Sequence, residues 1–172
     1  KKKFDLIEKR FQKIKNIQKT FLHCFYDQGT AQREFENLIN DKSANFNRYR
    51  FFYANYFLER NDKNNAFKII NQSLEESPRN LLINQLKLDI LNKKKFNNKF
   101  SCAKKQDIIA ELFYLISNAL SSQNLYSVSN FYLNIAKYLN PNFIAFDVLY
   151  AENLNLAGNK KQAKNLYNKI KN

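Results

Sequence analysis

Methionine and tryptophan are absent from this 172-residue chain; glycine, proline and cysteine occur twice each and histidine once. So few backbone punctuators leave little material for the tight turns of a sheet protein, so the chain is expected to be all-helical. No stretch approaches the ~18 consecutive apolar residues of a membrane-spanning helix, and the opening KKKFDLIEKR lacks the apolar core of a signal peptide. With no methionine even at position 1, the chain is expected to be a fragment of a larger protein or a processed form. Cys24 and Cys102 lie far apart and form no CxxC pair, which argues against both a zinc site and a disulfide framework. His23 is the neighbour of Cys24 on a helix, where adjacent residues point about 100° apart, so the two do not form a nucleophile pair. A structural role is expected for it. There is no glycine-rich phosphate loop and no GxSxG. No catalytic, metal or cofactor site is expected, and the reading is of a protein that is not an enzyme.

What the chain has in quantity is apolar residues, at 44%, and positive charge, with 29 Lys+Arg against 15 Asp+Glu for a net +14. The charge is uneven. Residues 1–46 carry ten basic and six acidic groups, 81–109 seven and two, 144–172 five and two, and 110–143 one of each. A nucleic-acid surface runs more continuously, with arginine and exposed aromatics interleaved, so nucleic acid is disfavoured as a partner. The basic run Lys93, Lys94, Lys95, Lys99, Lys104 and Lys105 supports an alternative, an adaptor for nucleic acid or other anionic surfaces.

Periodicity divides the chain. From Phe4 to Tyr26 apolar residues recur at Phe4, Ile7, Phe11, Ile14, Ile17, Phe21 and Phe25, a long helical stripe. Asp27-Gln28-Gly29 breaks it, and Thr30 to Ile39 makes a second helix with Phe35, Leu38 and Ile39 inward. Residues 1–46 thus read as a degenerate helical hairpin. Within 81–109, Leu81 to Asn92 is helical and KKKFNNKFSCAKKQD an irregular basic loop or short helix, the place where local mobility is expected. The stretch 110–143, AELFYLISNALSSQNLYSVSNFYLNIAKYLNPNF, contains two amphipathic helices around a turn at Gln123 and Asn124. Phe113, Ile116, Leu120, Val128, Leu133, Ala136 and Leu139 form the stripe, Ser117 and Ser129 are small where the helices cross, and Pro141 ends the hairpin.

This layout resembles the 34-residue tetratricopeptide (TPR) repeat. The pattern recurs in register at 47–80, with Ala54, Ala66 and Pro78, and at 144–172, with Ala151, Ala163 and Gly158 in the turn. Arg50 and Asp147 depart from it, standing where the family favours a bulky aromatic, so looser packing is expected there. The resemblance implies a single all-α domain, a right-handed TPR-like superhelix of antiparallel helical hairpins, that holds a peptide or protein partner on its concave side without catalysis. The wording SNFYLNIAKYLNPNF followed by AENLNLAG is also similar to the C-terminal repeats of large alphaproteobacterial TPR proteins. That similarity implies a bacterial cell-envelope, periplasmic location, with the cytoplasm as the alternative.

In TPR scaffolds the first helix of each hairpin lines the groove. Carried onto this chain, the resemblance assigns peptide binding to Arg48, Phe51, Asn55 and Leu58, then Glu111, Tyr114, Asn118 and Ser121, then Val148, Glu152 and Asn155. Asn55 and Asn118 can donate to and accept from a ligand's backbone. Phe51 and Tyr114 stand where a carboxylate-capturing groove would have lysine, so that clamp is not expected. Leu166 and Ile170 have no later helix to cover them, which makes self-association through the C-terminal edge a further reading.

Overall fold

The structure, a computed structural model, describes residues 2–26, 29–42, 45–92 and 100–171, with side chains from residue 12 to residue 170. Among the described residues all regular structure is helical: α1 (Lys2–Phe25), α2 (Ala31–Asn40), α3 (Asn47–Glu59), α4 (Lys63–Glu76), α5 (Leu81–Leu91), α6 (Lys105–Ser121), α7 (Tyr126–Leu139), α8 (Ala145–Leu156) and α9 (Lys160–Lys171). The chain forms two compact units, Lys1–Ala103 and Lys104–Asn172. No described helix is long and apolar enough to cross a membrane.

Three helix pairs are joined by one turn built three times. Asn61, Asn124 and Gly158 adopt positive φ, and each stands seven residues after one small residue and five before the next. In each turn the residue after the positive-φ position donates its N–H five residues back: Asp62 to Phe57 O, Leu125 to Leu120 O and Asn159 to Leu154 O, at 3.0, 3.0 and 2.8 Å. The positive-φ residue itself donates three back, to Leu58, Ser121 and Asn155. This is the Schellman arrangement, which satisfies the last carbonyls of the first helix. Only residues that tolerate the left-handed region can occupy the pivot, and asparagine and glycine do so at least cost. The small pairs Ala54/Ala66, Ser117/Ser129 and Ala151/Ala163 are all buried.

Unit 1 is built on aromatic rings. Phe21 of α1 meets Phe35, Tyr49, Phe52 and Phe100 at centroid distances of 6.3, 6.1, 5.3 and 5.4 Å, joining residues from α1, α2, α3 and the segment after α5. Helix α3 is buried on nearly every side, through Tyr49, Phe51, Phe52, Tyr53, Ala54, Asn55 and Phe57. Asp62 caps α4 by accepting from Asn65 N, and Asn80 caps α5 by accepting from Ile83 N. Asn65 also holds the Asp62 carboxyl below the usual aspartate range, first through its side-chain amide.

Several expectations need correction here. Cys24 and Cys102, whose separation argues against a disulfide framework, are joined in a disulfide, with Cα atoms 5.8 Å apart. Sequence separation does not limit such a bond; spatial approach does, and the fold supplies it. Phe100, Ser101 and Cys102, in the stretch expected to be an irregular loop or short helix, are non-helical and buried. Helix α6 begins at Lys105, five residues before the expected start at Ala110. Val128, expected in the buried stripe, is 46% exposed, while Ser129, one residue on and about 100° round the helix, is buried at the crossing as expected. Arg50 is not loosely packed: it is buried and its Nη2 donates to both Glu76 carboxylate oxygens at 2.8 Å. Asp147 pairs with Lys137. The expectations for Asp27, Gln28, Lys93, Lys94, Lys95 and Lys99 fall outside the described residues.

Tyr53 hydrogen-bonds from its hydroxyl to Glu36 Oε1 at 3.0 Å, tying α3 to α2. Burial first, and then the Glu36 hydrogen bond and charge, hold its ionisation far above the ordinary value of 10.0. A raised folded-state pKa means the contribution is complete below the unfolded pKa and is lost as pH rises beyond it, because the unfolded chain then releases a proton that the folded chain keeps. The melting temperature of the wild-type chain should therefore fall on going from pH 9 to pH 11 more steeply than that of Tyr53→Phe, a difference read by circular dichroism at each pH. Parallel curves would show that Tyr53 is not held protonated.

Candidate binding faces

Unit 2 shows how its sequence positions a face. At the α6/α7 crossing the two serines exchange hydrogen bonds: Ser117 Oγ donates to Ser129 O at 3.1 Å and Ser129 Oγ donates to Ser117 O at 2.8 Å. Serine hydroxyls inside helices usually bond back to their own helix. Here the helices lie close enough for each to reach the other's carbonyl. Asn153 of α8, fully buried, joins this pair by donating to Ser129 Oγ and Asn130 Oδ1, both at 2.8 Å, and by accepting from Ser121 Oγ at 2.6 Å. Since the Ser129 hydroxyl is already committed to Ser117 O, the Asn153 nitrogen must be the atom facing Ser129, which fixes the amide's orientation.

This relay spaces α6 against α8. Ser121–Asn153 is one contact between them, and Tyr114–Phe146, with rings 5.8 Å apart, is another. Both pairs are 32 residues apart in sequence, so α6 and α8 run side by side in the same direction. Of the residues assigned to peptide binding in this unit, Asn118, Glu152 and Asn155 are exposed, and Tyr114, Ser121 and Val148 are half-buried. Glu111 is fully buried. The helices therefore offer an exposed polar strip, Asn118, Glu152 and Asn155, beside the half-buried Tyr114 and Val148. The Ser121 hydroxyl proton is spent on Asn153, which leaves its oxygen as an acceptor. Glu152 also raises the ionisation of Tyr167 on α9, after burial, the larger cause.

Unit 1 places its four candidates differently. Arg48 and Leu58 are half-buried, with the Arg48 guanidinium 5.4 Å from the Phe52 ring centroid. Phe51 is buried. Asn55 is 3% exposed, and neither its Oδ1 nor its Nδ2 has a hydrogen-bond partner among the described residues. Of the basic run, Lys104 and Lys105 are described, and both are exposed. His23 Nδ1 lies 2.6 Å from Thr30 Oγ1, bridging the end of α1 to the start of α2. No group of three or more potential metal ligands occurs among the described residues.

Sequence reasoning missed Asn153, Phe100 and the cysteine pair. The signal for Asn153 was available: a polar residue two places after the small Ala151, on a helix whose neighbours Leu149 and Ala151 are core, needs a partner.

Two buried asparagines should respond in opposite directions. Asn153→Ala leaves the Ser121 hydroxyl and the Asn130 oxygen unmatched and should cost about 1–3 kcal/mol. Asn55→Leu removes an amide that nothing described satisfies and should stabilise the chain by about 1 kcal/mol. Urea unfolding of both variants checks this, and a destabilising Asn55→Leu would show that the amide is bonded in the folded chain.

No protein-family profile, no curated protein and no solved structure matches this chain.

Proposed function

We propose that this chain is a non-catalytic TPR-like scaffold that binds an extended peptide segment of a protein partner. The observation that carries the reading is the hairpin built three times over: the same small pair twelve residues apart, with the same left-handed pivot between its members, in both units. Such repeats place successive first helices side by side, and α6 and α8 are so placed. Side-chain amides at Asn118 and Asn155 suit a ligand backbone, because each donates and accepts. Tyr114 and Val148 suit an apolar anchor of the same ligand.

The basic-adaptor alternative gains little from the structure, since four of its six lysines lie outside the described residues. Self-association through α9 gains little either, because Leu166 and Ile170 are half-buried on that helix.

The test is selection of peptides from a random display library on the folded chain. Bound peptides should lose roughly tenfold or more in affinity on Asn118→Ala, about the value of one or two hydrogen bonds to a buried ligand. Their affinity should change little between low and high salt, whereas binding through the lysines would fall steeply. Selected peptides indifferent to Asn118→Ala, or retained only at low salt, would overturn the assignment.

A further inference from the structure

Asn55 on α3 and Asn118 on α6 hold the same place in their repeats, one residue after the small Ala54 or Ser117, yet Asn118 is exposed and Asn55 is buried. In unit 1 a piece of the chain itself lies on the helices. Phe100, Ser101 and Cys102 lie in no helix, are all buried, and end in a turn at Cys102 and Ala103. The Phe100 ring sits 4.3 Å from that of Phe52 on α3 and 5.4 Å from that of Phe21 on α1. Cys102 is tied to Cys24, also on α1. Arg48, Phe52 and Asn55 recur at steps of four and three, so they share one face of α3, and the Arg48 guanidinium lies over the Phe52 ring. A short non-helical segment with an aromatic anchor thus packs on Phe21 of α1 and on Phe52, the residue that shares a face of α3 with Arg48 and Asn55, two of the residues the scaffold reading assigns to a ligand.

We propose that Phe100–Cys102 is an intramolecular ligand of this face and that the Cys24–Cys102 disulfide is its lock, so that unit 1 takes an aromatic-anchored peptide in trans only after reduction. The proposal rests on the scaffold reading for the identity of the face. A segment joined to its site by the chain competes at an effective concentration on the order of 1 mM, which an untethered peptide can approach. A segment held by a covalent bond as well cannot be displaced. The disulfide therefore separates a closed face from one open to competition.

The opening step is a thiol–disulfide exchange with a dithiol reductant. One thiolate of the reductant attacks the Cys102 sulfur and expels the Cys24 thiolate; the reductant's second thiolate then attacks its own sulfur in the mixed disulfide and expels the Cys102 thiolate. Two electrons and two protons pass to the protein, the reductant leaves as a cyclic disulfide, and Cys24 and Cys102 end as thiols. Both cysteines are buried, Cys24 at 3% and Cys102 at 6% exposure, so the exchange requires local opening, for which the turn at Cys102 and Ala103, followed by the exposed Lys104, is the place.

The experiment uses the full chain, oxidised and after dithiothreitol, with three readouts: helical circular dichroism, hydrogen exchange of the amides at 100–103, and anisotropy of a fluorescein-labelled peptide of residues 98–104 carrying Cys102→Ser. Reduction should leave the helical signal in place and raise exchange at 100–103 by roughly tenfold or more. The probe should bind the reduced chain, and the Cys24→Ser, Cys102→Ser double variant in oxidising buffer, roughly tenfold tighter or more than it binds the oxidised chain. Unchanged exchange would overturn the lock, equal probe binding in both states would overturn the intramolecular ligand, and loss of the helical signal would make the disulfide a folding staple instead. The scaffold reading fails by a different result, indifference of selected peptides to Asn118→Ala in unit 2, which does not touch the exchange measurement.

Discussion

The structure depends on how closely paired helices approach at one point. Each registered hairpin brings two helices together over a small residue on each, Ala54 with Ala66, Ser117 with Ser129, Ala151 with Ala163, and all six are buried. Because packed helices interdigitate ridges and grooves, the side chains at the crossing decide how near the axes can come. A larger residue would splay the pair and misdirect every contact above and below it. The left-handed turn at Asn61, Asn124 or Gly158 returns the chain at the distance this crossing requires. In the Ser117/Ser129 hairpin the requirement has a further consequence. A hydroxyl in a dry crossing must be bonded, and the exchanged serine bonds accomplish this while leaving Ser129 Oγ able to accept from Asn153, which draws the next helix into the same arrangement.

The two units meet the same demand by different chemistry. Unit 1 stacks rings around Phe21 and closes the assembly with a disulfide between residues 78 positions apart. Unit 2 threads a polar relay through Ser117, Ser129, Asn153 and Ser121. Where the aromatic of the repeat pattern is missing, an ion pair stands instead: Arg50 with Glu76, and Asp147 with Lys137. Arginine suits the buried position, since its planar fork can engage a carboxylate while its stem packs against apolar neighbours.

Much of this was legible locally. The twelve-residue step between small positions, the prolines Pro78 and Pro141, and the turn residues Asn124 and Gly158 all act within one hairpin, and periodicity reads within a hairpin. Long-range features escaped for the same reason. Nothing near Cys24 announces Cys102, and Phe100 sits among lysines in a stretch with no period, so its place beside Phe21 and Phe52 follows from tertiary packing alone. Ser129 occupies the crossing that its small size indicates, whereas Val128, one residue earlier and about 100° round the helix, faces solvent, which a stripe drawn through both positions does not resolve. Of the assigned face residues, Asn118, Glu152 and Asn155 are exposed, whereas Phe51, Asn55 and Glu111 are buried.

A buried polar relay contributes less to net stability than an apolar core of equal volume, but it tolerates few alternative alignments, because any slip leaves several groups unbonded at once. An apolar α6/α8 contact could slide by a fraction of a turn at small cost. With Ser121 and Asn153 engaged, a slide breaks bonds to three partners of Asn153 together. The spacing between Asn118 on α6 and Asn155 on α8 is thereby set by groups beneath the surface and not by the exposed residues themselves.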